Sequence, residues 1–367
     1  MEAETLVGLI DTCVSDFESD GLADLVRQLR SDLPRLLKSP NSADFELTLR
    51  CARLIAFSRK PEPLQDCIHV LLDVAAAHLP RGLARQAIPL IERALDLAED
   101  AELKPELRRA CNHYSLFSSD VGIPARGVEY ALRAAMLARD LGDEPSVAAA
   151  FGNMTAALYA MGLYRETVSV ALRVIKRFSG DSRCVTFVAA ARANLASAAL
   201  ALQHYALCVE SAKTACEQMG LPKDAHGILN RVVTESTWIK GAIGLKQDDT
   251  VVERLKMINA LADAFKSPRL DLNRKLAAAA YEVHAGNLTV AVTQLLELLK
   301  HSKAVSGLYR DNLVLLVKAY EKAHDHAGAL LYLGELVEFL GKSQVAAVRG
   351  KLEVIRERVQ TPMPGKD

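Results

Sequence analysis

Three asparagines, Asn112, Asn153 and Asn194, stand 41 residues apart. A carboxamide carries N–H donors and an acceptor oxygen, so it can hold a peptide backbone without reading its side chains. Each asparagine heads a related phrase. Asn153-Met-Thr-Ala-Ala-Leu-Tyr-Ala-Met-Gly-Leu-Tyr164 returns as Asn194-Leu-Ala-Ser-Ala-Ala-Leu-Ala-Leu-Gln-His-Tyr205, and a blurred copy begins at Asn112. Stacked copies would set the three amides in a ladder. Arg108 lies one turn before the first, and Ser115 and Ser197 lie three residues after the first and third, on the same helical face. Continuing the period puts Glu235 where the next Asn would fall, with Trp238 one turn on and Arg231 one turn before. Tryptophan is enriched at binding hot spots, and it is also a large core filler. Arg231 could meet an acidic group of a ligand or pair with Glu235 at i,i+4. The asparagines have a second reading as well, as side chains bonding a neighbouring helix's backbone.

This chemistry is recognition rather than catalysis. No phosphate-binding Gly-rich loop, nucleophile elbow, H-E-x-x-H or EF-hand loop occurs. His324-Asp325-His326 falls at a helix–helix turn with no further ligand at metal spacing, and reads as a solvated loop. The sequence therefore predicts no catalytic residue, no metal and no cofactor. Its seven cysteines are scattered without a C-x-x-C and read as small hydrophobes in a reducing cytoplasm. Forty-five basic residues balance 45 acidic ones, so no global field draws the chain to nucleic acid or an anionic membrane. Residues 145–164 carry no charge, but they include Pro, Gly, Asn, Ser and Thr and read as a buried inner helix. The start, Met1-Glu2-Ala3-Glu4, lacks the basic opening of a signal peptide.

Self-similarity at this period marks supersecondary units that bury their apolar faces only by stacking. A composition 50% hydrophobic and only 5% aromatic suits Ala and Leu at close helix contacts. Periodicity is helical throughout, with no convincing strand alternation. The clearest unit has a first helix over 145–161, closed by Gly162, and a second over 164–178. The same grammar gives pairs at 66–79/83–98, 105–119/124–140, 183–202/204–219, 224–244/249–265, 270–285/287–301 and 305–323/326–340. Ala87, Gly127, Thr167, Cys208, Ala291 and Ala329 recur near the starts of second helices, where a small side chain admits close approach. The expected fold is an all-α solenoid, a superhelix of stacked helix-turn-helix repeats. Residues 1–60 are expected to be an N-terminal helical cap or degenerate repeat, 61–341 the array, 342–360 a heptad-patterned helix and 361–367 a disordered tail. On that last helix Val345, Val348, Leu352, Ile355 and Val359 are spaced 3, 4, 3, 4. This seam could form a homodimer, relay a signal, or lie on the last repeat as a cap.

The phrase Asn153-x4-Leu158-Tyr159-x2-Gly162-x-Tyr164-x2-Thr167 resembles helix A and the opening of helix B of the tetratricopeptide repeat family. Gly286-Asn287-Leu288-Thr289-Val290-Ala291-Val292 is similar to that family's hinge. The likeness covers roughly residues 66–340, without the consensus leading Trp and with the longer period of the long-helix variants. It implies that the asparagines face a concave groove holding a protein or peptide. The stretch from Leu315 to Val359 looks like the end of the N-terminal sensory region of bacterial signalling proteins. The expected role is a non-enzymatic regulatory or sensory binding module. One alternative is a constitutive scaffold for complex assembly. Another is a peptide-responsive regulator of a separate output domain or transcription factor, although residues 1–60 lack the basic character of a DNA-binding helix. An enzyme using the groove would need an acid–base or metal constellation that does not occur.

Overall fold

Proline, aspartate and serine start many of the helices. Pro105, Pro124, Pro145 and Pro268 sit in first turns, where a missing N–H costs nothing. Asp143, Asp224 and Ser267 accept the orphan N–H of Ser146, Gly227 and Leu270. The computed structural model describes residues 19–36, 42–58, 61–222 and 224–343. Val345, Val348, Leu352, Ile355 and Val359 lie outside the described residues, as do the first 18 residues of the expected cap and the expected tail over 361–367.

Among the described residues sixteen α-helices follow one another: α1 (Ser19–Leu36), α2 (Ser42–Phe57), α3 (Leu64–His78), α4 (Ala84–Asp100), α5 (Lys104–Ser118), α6 (Pro124–Asp140), α7 (Glu144–Ala160) and α8 (Tyr164–Phe178), then α9 (Val185–Ala201), α10 (Tyr205–Met219), α11 (Ala225–Gly244), α12 (Asp248–Ala264), α13 (Pro268–Ala285), α14 (Leu288–Ser302), α15 (Ser306–Lys322) and α16 (His326–Ser343). No strand occurs among the described residues. From α3 onward the helices pair, and the first helix of each pair also packs on the first helix of the next. Second helices lack comparable contact with one another from α4 onward. First helices therefore form the inner wall of a curved stack, and second helices fan out behind them. The chain is an all-α solenoid.

Two local devices repeat. Each turn inside a pair passes through one left-handed residue: Gly82, Gly122, Gly162, Gln203, Lys246, Gly286 and His324. A left-handed residue ends a helix within one step, and glycine takes that conformation without a Cβ clash. The second device is the small residue at the pair's waist. Ala87, Thr167, Cys208 and Ala291 are fully buried. A Cβ on Gly127 would collide with Ser118 Oγ and lie 3.2 Å from the Ser115 carbonyl. The four thiols of Cys67, Cys111, Cys208 and Cys216 are buried, and burial pushes each up to about 12, so they act as hydrophobes. One segment, Ser182–Ala201, is long and apolar enough to cross a membrane, and half of it is buried inside the stack.

The stack coils far enough to meet itself. Ser267 Oγ donates to the Pro80 carbonyl at 2.7 Å, and Arg269 Nη1 donates to the Leu79 carbonyl at 2.8 Å. Both terminal guanidinium nitrogens of Arg269 also reach the Asp120 carboxylate, Nη2 at 3.1 Å. The Asp120 carbonyl accepts from Ser306 N at 3.2 Å and Ser306 Oγ at 3.1 Å. The turns of the first two pairs thus grip the N-terminal ends of α13 and α15.

Acid should loosen the first pair. His78 is fully buried; its Nδ1–H donates to the Val74 carbonyl at 2.8 Å, and its Nε2 has no hydrogen-bond partner among the described residues. Burial lowers its pKa from 6.5 to about 4. The unfolded chain then binds the extra proton first, so this contribution is intact above pH 6.5 and falls as pH drops toward 4. By pH 4 the loss amounts to about 3 kcal/mol. Urea unfolding at several pH values checks this, and His78→Phe should flatten the slope between pH 6.5 and 4. An unchanged slope would refute it.

Candidate binding hollow

The inner wall is built from one face of each first helix, and hydrogen bonds tie neighbouring units across it. Asn153 Nδ2 donates to Asn112 Oδ1 at 2.8 Å and to the Asn112 carbonyl at 3.2 Å. Asn194 Nδ2 donates to Thr155 Oγ1 at 2.8 Å and to the Gly152 carbonyl at 3.3 Å. A main-chain carbonyl only accepts, so the nitrogen of each amide must face the wall. Asn153 Oδ1 and Asn194 Oδ1 make no hydrogen bond among the described residues and are left as acceptors. Ser197 Oγ carries the row onward, 3.4 Å from Thr237 Oγ1.

Where the coil closes, the wall encloses a cavity of about 210 Å³. Asn194, Ser197, Ser236, Thr237 and Lys240 line one side; Arg310, Asp311 and Asn273 line the other. Asn112 and Asn153 do not line it. Lys240 Nζ donates to Asp311 Oδ2 at 2.7 Å. Arg310 donates to Asp311 Oδ1 from Nε at 3.2 Å and Nη2 at 2.9 Å, and from Nη2 to Tyr159 OH at 2.8 Å. Its guanidinium also lies 4.3 Å from the centre of the Tyr159 ring. Burial pushes Asp311 up, but Lys240 and Arg310 outweigh it and hold the carboxyl below the usual carboxylate range. Burial also raises the Tyr159 phenol, which stays protonated.

The remaining sequence candidates fall elsewhere. Arg108 hydrogen-bonds Ser146 Oγ and lies 3.6 Å from Asp143, bracing the start of α7. Ser115 is buried, with no hydrogen-bond partner for its Oγ among the described residues. Arg231, Glu235 and Trp238 do not face the hollow. They point between α11, α10 and α12, where fully buried Glu235 takes Arg231 Nε at 2.9 Å and lies 3.6 Å from Arg254. Arg231 also donates to the carbonyls of Cys216 and Gly220, and Arg254 stacks 4.7 Å over Trp238. The reason is a change of register. Left-handed turn residues are 40 or 41 apart as far as Gln203, but Lys246 comes 43 later. Two extra residues rotate a helix position by about 200°, so Glu235 turns to the back of α11. Counted back from the turn, the residue equivalent to Asn194 is Thr237. That count would have found Thr237 and, one turn away, Lys240. His324 is the left-handed residue of the last turn, and Asp325 accepts from Gly328 N at 2.9 Å.

No protein-family model matches the chain, and no curated protein matches it in sequence. Among solved structures it is similar to a Rap protein complexed with Competence and Sporulation Factor, with a TM-score of 0.58 and 14% identity over 93% of this chain and 99% of that one. At that identity the likeness concerns the helical solenoid fold alone. Yeast Tom70 aligns over 99% of this chain and 98% of its own at 11% identity, but its TM-score of 0.27 carries no argument.

Proposed function

We propose that this solenoid is a non-enzymatic binding module whose inner wall takes up a peptide or an extended protein segment, as the regulatory or sensory part of a bacterial signalling system. The observation that carries the reading is the row of amides on the inner wall. Their donors are spent on holding successive units in register, and the acceptors of Asn153 and Asn194 remain available to backbone N–H groups. A backbone-directed row suits a ligand taken in extended form. The Rap protein of the same fold was solved with Competence and Sporulation Factor bound, which supports a ligand-binding role. A constitutive scaffold is the second reading. The brace between Arg269 and Asp120 favours it, because it fixes the coil without any ligand.

A pool of randomised heptapeptides passed over the immobilised chain tests the proposal. Wild type should retain a subset, and Asn153→Ala/Asn194→Ala should retain it about tenfold less well, for two lost hydrogen bonds of about 0.5–1.5 kcal/mol each. Thermal melting confirms that the variant is folded. Equal retention by both proteins, or none by wild type, would defeat the reading.

A further inference from the structure

The cavity carries a charge surplus that nothing described so far uses. Its charged lining is Lys240, Arg269 and Arg310 against Asp120 and Asp311. Asp120 is spent on Arg269, which leaves a triad of Lys240, Arg310 and Asp311. Within the triad a single carboxylate, Asp311, serves both Lys240 and Arg310, whose side chains are only 16% and 8% exposed. Tyr159, the other partner of Arg310, is a neutral phenol. A partly buried, uncompensated cation is costly, and the cost vanishes when an anion enters.

Unused donors converge there too. An ammonium has three N–H groups and a guanidinium five. Lys240 spends one on Asp311, and Arg310 Nη1 makes no hydrogen bond among the described residues. Ser236 lines the cavity one turn before Lys240 on α11, and its hydroxyl likewise makes none.

We infer that the cavity receives one carboxylate of the bound peptide, seated between Lys240 and Arg310 with the Ser236 hydroxyl beside it. This rests on the peptide-binding reading and adds the ligand's chemistry to it. A surplus of one charge matches a carboxylate better than a doubly charged phosphate. Removal from water strengthens the attraction, and charge-assisted hydrogen bonds are about twice as strong as neutral ones. The carboxylate belongs either to the peptide's C-terminus or to an Asp or Glu side chain.

Two randomised heptapeptide pools, one with free C-terminal carboxylates and one amidated, separate these sources. Each is captured on wild type, Lys240→Met and Lys240→Arg, and the retained peptides are sequenced by mass spectrometry. A terminal carboxylate predicts about tenfold more capture from the free-acid pool. A side-chain carboxylate predicts about threefold enrichment of Asp and Glu over Asn and Gln in both pools. Either preference should vanish in Lys240→Met and survive in Lys240→Arg, which keeps the charge; melting curves verify that both variants fold. Peptides retained with no acidic preference would overturn the inference and leave peptide binding standing. Retention of nothing from either pool would remove both.

Discussion

Replacing Asp120 with alanine should cost about 3–5 kcal/mol of stability, because it leaves a buried guanidinium without its counter-charge. Arg269 is 9% exposed and would keep only the Leu79 carbonyl as a partner. The loss is also mechanical. The carboxylate of Asp120 holds the start of α13 while its carbonyl holds the start of α15, so one residue ties two late units to an early turn. Glycines make that approach possible. A Cβ on Gly122 would lie 3.3 Å from Ser306 Oγ, and one on Gly82 would lie 3.4 Å from Arg269 Cβ. Urea unfolding should show the drop, and hydrogen exchange at residues 79–83 and 119–123 should accelerate in Asp120→Ala. Asp120→Leu/Arg269→Leu should recover most of the loss, since a buried pair replaced whole by apolar groups is often neutral. A denaturation midpoint unmoved in Asp120→Ala would show that the coil is closed by other contacts.

The second large effect lies at Glu235. Its carboxylate is fully buried and answers both Arg231 and Arg254. Glu235→Ala removes the buried counter-charge of Arg231, which keeps only the Cys216 and Gly220 carbonyls, and leaves Arg254 with the exposed Glu253, with an expected loss of about 3 kcal/mol. Glu235→Gln should lose less, since its amide oxygen still accepts from Arg231. The chain's single tryptophan, Trp238, stacks on Arg254. Its emission therefore reports this cluster alone and should shift to the red in Glu235→Ala below the global transition. If Glu235→Ala melts like wild type with unchanged emission, the cluster does not hold the fifth pair together.

The helix pairs were legible because each signal is local. The first-turn prolines, the closing Gly162 and Gly286 and the small residues at the pair waists all act within one unit. Even Gln203, an unfavourable left-handed residue, was legible as a turn from the phrase repeated around it. The middle of the array was harder to read. A fixed offset from Asn194 selected Glu235, although the turn had slipped by two residues, and a two-residue slip swaps the inner and outer faces of a helix.

The repeating pair, its helix boundaries and the even spacing of the three asparagines can be read along the chain alone, since they depend on residues one turn or one unit apart. Which charges share the hollow depends instead on how the whole stack folds back on itself. Lys240 and Asp311 are 71 positions apart, and Arg269 and Asp120 are 149 apart. They meet because small rotations between successive units accumulate until the coil closes on itself. That sum is a property of the whole stack, and no single unit carries a trace of it.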